Sequence, residues 1–394
     1  MQRRIALKII YKTINDSSFT NLLMRKELDK LPNIQRAFVT NLVNGVLKNY
    51  DFLNYQHSSY YKSTSLKNRI ILSMAMYEKF FLNEKDYVVN NEYVSLGDNE
   101  YDRSFINAIL RQIKSVVEPN SEYIKYSIPE WLYKLLSKQY NTDQLKIILN
   151  NYHRIPTIYY RLNHRQATYN DLKHLNIDII NKDIFTSKDN LVNSNEFKSG
   201  LFYIQDINAS LLVDEFNFDQ NDLFLDACSA PGSKLFNALE HIKSTNAYAN
   251  DINETRVNLI KDKANVLGYN GVHYLNYDAS KLSSYLNISF DKILLDVPCS
   301  GLGVIGRRSD IKFHIKPESL DELEKIQKDI LEDVSKLLKV NGEMIYSTCT
   351  LNKKENTKQI EKFINTHKDF KLIKEKTIIN LEGDMFYEAL LKRI

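Results

Sequence analysis

The first third of the chain places apolar residues at the spacing of amphipathic helices. In the stretch 35–53, Phe38, Leu42 and Val46 recur every four residues, with a second apolar row beside them, so they form one stripe on a helix. The stretches 66–82 and 101–117 repeat this pattern, and the turn signal "LGDNE" lies between them. Because no strand-like alternation appears, residues 1–125 are predicted to form an all-α helical bundle.

The pattern changes over residues 126–215. "IPEWLYKLL" predicts a helix with Pro129 in its first turn, where the missing N–H costs nothing. "IPTIYYRLN" is rich in β-branched and aromatic residues and predicts a strand. "DLKHLNIDI" and "GLFYIQD" follow. We therefore expect a small mixed α/β subdomain here.

From residue 216 onward, short apolar runs alternate with helical segments. The runs include "DLFLDAC", "AYANDI", "VHYLNYD", "DKILLDVPC" and "GEMIYSTC". Strands that alternate with longer helices indicate βαβ units and a mostly parallel, Rossmann-like sheet over residues 216–394. Such sheets bind ligands at the carboxyl ends of their strands. Each of the three cysteines falls at such an end.

Composition and charge add a few limits to this picture. A chain of 394 residues is too long for one ordinary core. The net charge is +4, and residues 1–125 alone carry about +5, which is typical either of solvated helices or of a nucleic-acid face. Three cysteines without a C-x-x-C pair exclude a disulfide framework and predict no metal site. Because charges interrupt the start and no long apolar run exists, we expect a cytoplasmic protein without a membrane segment.

The first three predicted strands of this sheet end in acidic residues. "LDACSAPGSK" joins a strand to a helix through small residues, which let a cofactor approach backbone N–H groups. The turn matches neither a phosphate loop nor a dinucleotide fingerprint, and an ordinary βα turn is the alternative. Asp251 follows about 25 residues later, a spacing typical of carboxylates that bind ribose hydroxyls. Asp278 ends the third strand.

Cysteines follow the fourth and fifth predicted strands. Cys299 lies in "DVPCSG" and Cys349 in "YSTCT". If the two strands are neighbours, both side chains project toward one crevice. A buried structural role is the common fate of a lone cysteine, but two cysteines at the active edge favour nucleophilic chemistry.

These motifs resemble a known family. "DACSAPGSK", "DVPCSGLGVIGRRSDIKF" and "YSTCTLNKKEN" resemble motifs of RNA cytosine-5 methyltransferases that use S-adenosylmethionine. "FVTNLVNGVL", "SFINAILRQI" and "GLFYIQD" extend the resemblance to the RsmB type (also called Sun or Fmu), which has an N-terminal domain like the antitermination factor NusB. The resemblance implies three parts: a NusB-like RNA-binding helical domain (1–125), a linking subdomain (126–215) and a methyltransferase domain (216–394).

The resemblance also implies an activity and its partners. The expected reaction is methylation of C5 of one cytosine in 16S ribosomal RNA, through a covalent bond between a cysteine and C6. Cytosine C5 is too weak a nucleophile to take a sulfonium methyl group unaided, and addition of a thiolate at C6 activates it. The expected substrate is 16S rRNA, either free or in an early small-subunit particle, and a monomer is expected.

The site residues follow from matching this sequence to the family motifs. Cys349 is implied as the nucleophile, Cys299 as the residue that releases the product, and Asp296 as a carboxylate between cofactor and target base. Arg307 and Arg308 are implied to reach the RNA. The implied residues for S-adenosylmethionine are Cys228, Ser229, Ala230, Pro231, Gly232, Ser233, Lys234, Asp251, Arg256, Asp278 and Asp296.

The sequence departs from the family pattern at several positions and leaves alternatives open. Ser233 replaces a usual glycine, Leu235 a hydroxyl residue, Val297 an alanine and Phe313 a tryptophan. The nucleophile could instead be Cys299, as in DNA cytosine-5 methyltransferases. The substrate could be tRNA or 23S rRNA, and a non-catalytic RNA-binding assembly factor is a further alternative.

Overall fold

The structure is a computed structural model that describes residues 1–16, 18–29 and 31–394. Its helices are α1 (Gln2–Asn15), α2 (Thr20–Leu28), α3 (Asn33–Lys48), α4 (Tyr50–Ser58), α5 (Leu66–Phe80), α6 (Asp86–Val94), α7 (Glu100–Gln112), α8 (Glu122–Lys125), α9 (Glu130–Gln139), α10 (Thr142–His153), α11 (Asn195–Lys198), α12 (Ile207–Val213), α13 (Ser233–Ala238), α14 (Glu254–Val266), α15 (Ile311–His314), α16 (Pro317–Val334) and α17 (Thr357–Thr366). Its strands are β1 (Tyr159–Leu162), β2 (Ile177–Ile179), β3 (Ile184–Ser187), β4 (Phe202–Ile204), β5 (Phe224–Asp226), β6 (Ala247–Asn250), β7 (His273–Leu275), β8 (Phe290–Asp296), β9 (Leu338–Thr348), β10 (Phe370–Ile378) and β11 (Phe386–Arg393).

The chain forms two compact units. A helical unit comprises Met1–Arg154 and the later segment Ile305–Lys316, and a sheet unit comprises Ile155–Val304 and Pro317–Ile394. The segment that interrupts the sheet unit follows the loop after β8 and contains α15. The functional borders expected at residues 125 and 215 stay predictions.

The helical unit confirms the all-α prediction for the first third of the chain. Leu42 and Val46 are fully buried in its core, while Phe38 at the edge of the same stripe is half-buried. The continuous apolar pattern over 35–53 belongs to two helices, because α3 ends at Lys48 and α4 begins at Tyr50. The side chain of Ser65 accepts a hydrogen bond from the backbone N–H of Asn68 and caps the start of α5.

The sheet unit begins with a small antiparallel sheet. Its strand order is β2-β3-β1-β4, and the strand predicted in "IPTIYYRLN" is its β1. Tyr160, Phe185 and Phe202 pack against one another beneath this sheet, with ring centroids 5.2–5.4 Å apart. The helix predicted in "IPEWLYKLL" is α9, which belongs to the helical unit, while β1 to β4 belong to the sheet unit, so a single subdomain over residues 126–215 stays a prediction.

A mixed seven-stranded sheet forms the rest of the sheet unit, in the order β10-β11-β9-β8-β5-β6-β7. The five strands predicted from the apolar runs are β5 to β9, and they pair in parallel. The last two strands are antiparallel additions at one edge, which the sequence pattern did not indicate. Chain order reverses between β5 and β8, so this is the switch point where such sheets bind ligands.

Both faces of the large sheet are covered, which explains the unbroken apolar run of β8. Ile293 and Leu295 enter one core, and Leu294 between them enters the other. Helices α16 and α17 contribute to the first core, and α12, α13 and α14 contribute to the second. The strands are thereby held rigidly, and the loops at their carboxyl ends project from a fixed frame.

Candidate active site

One side chain ties together the carboxyl ends of three neighbouring strands. Asn250 closes β6 and is fully buried. Its amide nitrogen donates to the carbonyl oxygens of Ala227 and Tyr277, each at 3.0 Å, and its amide oxygen accepts from the Tyr277 N–H at 3.0 Å. The loops after β5, β6 and β7 are therefore fixed relative to each other.

The loop after β5 is a tight turn built on a left-handed glycine. Gly232 has a φ of +95°, and a Cβ there would come within 2.9 Å of the Phe236 ring. The turn is closed by the Gly232 N–H, which donates to the Ser229 carbonyl at 2.7 Å. Helix α13 starts directly after this glycine. Ser233, where the family has a further glycine, lies in that helix and needs no left-handed conformation.

A buried carboxyl group lies at the start of the same turn. Asp226 is 1% exposed, and its Oδ1 has no hydrogen-bond partner among the residues described. Burial and the nearby Asp296 carboxylate raise the pKa of Asp226 to about 7. Burial, Asp226 and Asp296 also hold the pKa of the Cys228 thiol well above its usual range, which disfavours the thiolate form that a nucleophile requires.

Asp296, at the end of β8, is held from two sides. Its Oδ2 lies 2.5 Å from the Lys234 Nζ, and its Oδ1 accepts a hydrogen bond from the Ser347 hydroxyl at 2.8 Å. Although burial favours the neutral amine, the Asp296 carboxylate raises the pKa of Lys234 above its usual value. The pair joins the first turn of α13 to the ends of β8 and β9.

The two cysteines predicted to share a crevice are in contact. The Sγ atoms of Cys299 and Cys349 lie 3.1 Å apart as free thiols, because β8 and β9 are parallel neighbours. The backbone N–H of Cys349 donates to the Cys299 sulfur at 3.2 Å. The hydrogen bond with Cys349 and burial together hold the pKa of Cys299 well above its usual range. Cys299 is therefore held as a thiol.

The remaining acidic residues at the strand ends lie where the sequence placed them. Asp251 is buried after β6, where its Oδ1 accepts from the Asn253 N–H at 2.9 Å and its Oδ2 lies 3.3 Å from Arg256 Nη1. Asp278, after β7, accepts two hydrogen bonds from Ser280 at 2.8 and 2.9 Å and caps a short 3-10 turn. Their roles toward a cofactor stay predictions.

Two arginines predicted to meet RNA belong to the other compact unit. Arg307 is exposed, and Arg308 is half-buried. The Arg308 guanidinium bonds Asp310 at 3.1 Å and lies 6.0 Å from the centre of the Phe19 ring. Arg308 therefore already has a structural role inside the helical unit.

The structure also shows residues that sequence reasoning did not single out. Glu355 accepts hydrogen bonds from Ser300, Gln327 and Asn352, and Ser347 donates to Asp296 beside Lys234. Glu355 lies in the quoted motif "YSTCTLNKKEN", so its position was available as a signal. Gln327 lies mid-helix in α16 and carries no such signal.

No helix among residues 1–16, 18–29 and 31–394 is both long and apolar enough to cross a bilayer. The same residues contain no group of three or more histidine, cysteine or acidic side chains arranged to hold a metal ion.

Comparison with known proteins connects this geometry to a family. Residues 214–387 match 16S rRNA methyltransferase RsmB/F, and residues 1–115 match the NusB family. A "probable ribosomal RNA small subunit methyltransferase B" of Bacillus subtilis is 29% identical over 93% of this chain and 89% of the relative. The ribosomal RNA small subunit methyltransferase B of Yersinia enterocolitica is 30% identical over 74% of this chain and 73% of the relative.

Solved structures share the fold. The crystal structure of PH0851 matches with a TM-score of 0.81 at 20% identity, over 99% of this chain and 98% of that one. The structure of NSun6 from Pyrococcus horikoshii with SFG matches with a TM-score of 0.60 at 16% identity, over 67% of this chain and 98% of that one. The predicted NusB-like helical region and Rossmann-like methyltransferase fold are confirmed. The chain therefore belongs to the ribosomal RNA small subunit methyltransferase B family, and it is an RNA methyltransferase.

Proposed function

We propose that this protein transfers a methyl group from S-adenosylmethionine to C5 of a cytosine in 16S rRNA, with Cys349 as the covalent nucleophile. The observation that carries the proposal is the contact between two free thiols, Cys299 and Cys349, beside the Lys234–Asp296 pair. Paired cysteines beside a fixed carboxylate suit a reaction in which one sulfur bonds the base and a second group moves a proton.

The proposed reaction proceeds through a covalent bond between Cys349 and the cytosine. The Cys349 thiolate adds to C6 of the cytosine, which makes C5 electron-rich. Carbon C5 then takes the methyl group from the sulfonium. A base removes the C5 proton, the electrons of that bond form the C5–C6 double bond, and the Cys349 thiolate leaves. The products are 5-methylcytosine, S-adenosylhomocysteine and one proton.

The environment of the two sulfurs supports different roles for them. Cys299 accepts a hydrogen bond from the Cys349 backbone N–H, and its raised pKa keeps it protonated. A thiol of that kind suits proton transfer at the base better than it suits the initial attack, which requires a thiolate. We assign attack to Cys349 and proton handling during release to Cys299.

Asp296 is suited to hold the target base. Its side chain is 28% exposed while both of its oxygens already have protein partners, Lys234 and Ser347. A carboxylate oxygen has a second lone pair, so Asp296 can also accept from the exocyclic amino group of cytosine. The Lys234 ammonium adds positive charge beside the ring where negative charge develops after thiolate addition.

The turn after β5 fits the cofactor that this chemistry requires. Bound S-adenosylmethionine supplies an electrophilic methyl group on a sulfonium. Two buried polar atoms in the turn, Asp226 Oδ1 and Ser229 Oγ, lack hydrogen-bond partners within the described part of the chain, so both can bond a ligand there. Asp251 and Asp278, at the next two strand ends, would hold the ribose and the adenine.

The names of the relatives and two arginines support 16S rRNA as the proposed substrate. The matching proteins of Bacillus subtilis and Yersinia enterocolitica are called ribosomal RNA small subunit methyltransferases. We propose that Arg307, which is exposed, binds the RNA backbone, with Arg308 beside it. The target cytosine must be unstacked before a pocket can reach C5.

The test compares two cysteine variants on transcripts of 16S rRNA, with tRNA and 23S transcripts as competitors. Cys349→Ala should abolish methyl transfer and form no covalent complex. Cys299→Ala should attach to the RNA in a complex that survives denaturing electrophoresis, because the product cannot leave. The wild-type protein, which can release the product, serves as the control for adduct formation.

The result that reverses the role assignment is an adduct formed by Cys349→Ala and none by Cys299→Ala. Methylation of tRNA or 23S transcripts in preference to 16S would overturn the proposed substrate. Failure of calorimetry to detect S-adenosylmethionine binding to the wild-type protein would overturn the catalytic proposal itself.

A further inference from the structure

Glu355 is a buried carboxylate between the two cysteine loops. It is fully inaccessible to solvent, and it forms no ion pair with any cation among the described residues. Its Oε1 accepts from the Ser300 hydroxyl at 2.6 Å and the Asn352 amide at 3.1 Å. Its Oε2 accepts from the Ser300 backbone N–H and the Gln327 amide, both at 2.9 Å. All four partners are neutral donors.

Burying a carboxylate without a cation costs free energy unless its oxygen atoms accept hydrogen bonds from the protein. A carboxylate taken out of water without a cation loses several kcal/mol of hydration, which hydrogen bonds must offset. Glutamine has the same shape but would turn an NH2 group toward two of the four donors. The site therefore requires a side chain with acceptors only, and every donor it collects belongs to the active-site loops or to the helix behind them.

The four donors come from three separate segments. Ser300 directly follows Cys299 in the loop after β8, and Asn352 lies three residues after Cys349 in the loop after β9. Gln327 lies in α16 and also donates to the Pro298 carbonyl at 3.0 Å. One carboxylate thus connects the backbone next to one cysteine with the loop that carries the other.

We propose that Glu355 is a positioning residue for methyl transfer, which holds the Cys299 and Cys349 loops in register so that their sulfurs meet over the target base. The proposal rests on the proposed function of the two cysteines. It extends that function to a residue that touches neither cysteine side chain through a hydrogen bond and that acts through Ser300 and Asn352.

The relative position of the two loops must be accurate to about 1 Å. The sulfur–sulfur contact of 3.1 Å and the bond from the Cys349 N–H to the Cys299 sulfur at 3.2 Å both depend on the relative position of the two loops. A displacement of about 1 Å in a reacting group can reduce a rate about 100-fold. Loss of the Glu355 hydrogen bonds should therefore reduce the chemical step, while cofactor binding at the loops after β5, β6 and β7 should stay unchanged.

The first experiment compares Glu355→Gln with Glu361→Gln, an exposed position on α17 that undergoes the same change of charge. The expected kcat of Glu355→Gln is about 10- to 100-fold lower, while its KM for S-adenosylmethionine stays within about twofold of the wild type. Glu361→Gln should match the wild type in both. A kcat of Glu355→Gln within about twofold of the wild type would overturn the proposal.

A double-mutant cycle with Ser300→Ala tests whether the two residues act together. Ser300→Ala removes one of the four donors and should lower kcat less than Glu355→Gln does. If Glu355 acts through Ser300, the double variant loses no more activity than Glu355→Gln alone. Effects that multiply would show independent roles and would refute the positioning role. If Glu355→Gln does not fold, Ser300→Ala must by itself reduce kcat without changing KM, or the proposal fails.

A measurement without RNA separates this proposal from the proposed function. Cys299 faces the ionisable groups of Cys349, Glu355, Asp296 and, more distantly, Tyr346. The hydrogen bond with Cys349 and burial raise the pKa of Cys299 most, and the charge of Glu355 raises it further, so Glu355→Gln should move the pH midpoint of Cys299 alkylation downward. The three cysteines fall on separate tryptic peptides, so mass spectrometry can follow Cys299 alone.

The alkylation experiment decides the proposal even if no RNA is methylated. Ser300→Ala keeps the charge of Glu355 and should leave the midpoint of Cys299 nearly unchanged, and Glu361→Gln should leave it unchanged. An identical midpoint in the wild type and Glu355→Gln would contradict the inferred placement of the carboxylate. A wild-type protein that methylates no RNA, with the expected shift in Glu355→Gln, would refute the proposed function only.

Discussion

The buried carboxyl of Asp226 should make the sheet unit less stable as the pH rises. Burial and the Asp296 carboxylate raise the pKa of Asp226 in the folded protein from 3.8 to about 7. The folded state therefore retains a proton that the unfolded chain releases. Stability from this group is fully present below about pH 3.8 and is lost as the pH rises through 7. Asp226→Asn, which cannot ionise, should remove that loss.

The magnitude follows from the two pKa values. The difference between 3.8 and about 7 corresponds to a loss of about 4 kcal/mol in the free energy of unfolding at pH 8, where Asp226 is ionised in both states. At pH 5 Asp226 is ionised in the unfolded chain and not in the folded protein, and the expected loss in the free energy of unfolding, relative to low pH, is about 2 kcal/mol. The Asp226 Oδ1 has no hydrogen-bond partner in the described chain, so the amide NH2 of the variant can take the position of that atom.

Urea unfolding of the cofactor-free protein at pH 5 and pH 8 tests this prediction. Pulsed hydrogen exchange with mass spectrometry can read the peptide that contains β5, and so reports on the sheet unit separately from the helical one. Asp262→Asn, at an exposed position on α14, is the matched control and should change the free energy of unfolding neither at pH 5 nor at pH 8. A stabilisation by Asp226→Asn that is equal at both pH values, or a destabilisation at pH 8, would refute the reasoning.

Two further predictions concern single positions. Burial lowers the pKa of Lys312 to about 8, so the folded helical unit loses stability as the pH falls through 8. Raising the pH from 7 to 9.5 should therefore increase the free energy of unfolding of the wild type by about 2 kcal/mol more than it increases that of Lys312→Met. The fluorescence of Trp131, the single tryptophan, in urea measures this, and equal pH responses would contradict it. Gly232→Ala should weaken S-adenosylmethionine binding at least about tenfold in calorimetry, because a Cβ at φ +95° meets Phe236. Gly271→Ala, with φ +87° outside the cofactor turn, should leave binding unchanged, and equal losses in both variants would show a general folding defect.

Periodicity was sufficient to predict most of the elements that carry the site. The β5–β9 strands coincide with apolar runs between helices, and β5, β6 and β8 are buried on both faces, so their composition shows them directly. The antiparallel strands β10 and β11 were not predicted. β10 lies at the sheet edge with a largely exposed pattern, "FKLIKEKTI", and a charged strand of that kind resembles a surface segment until its partner is known.

The candidate site divides in the same way. The positions of Cys299 and Cys349 at two strand ends were visible in the sequence, but their contact depended on β8 and β9 being neighbours. Except for Asn352, which lies three residues from Glu355, the partners of Asp296 and the donors around Glu355 were not visible, because they come from segments 28 to 62 residues away. Side chains such as Gln327 have no local pattern that marks a role in packing or catalysis.

By itself, the sequence determined the helical and the α/β parts of the chain, the order of the strands along it, and the residue types available at each strand end. These properties follow from local periodicity and from chemistry that does not depend on the partner. The tertiary structure alone decided which strand ends meet, which thiol is held protonated, and which carboxylate is buried without a cation. Those outcomes depend on distance and on exclusion of water, because a charge or a thiol changes its behaviour only when the fold brings other groups close to it.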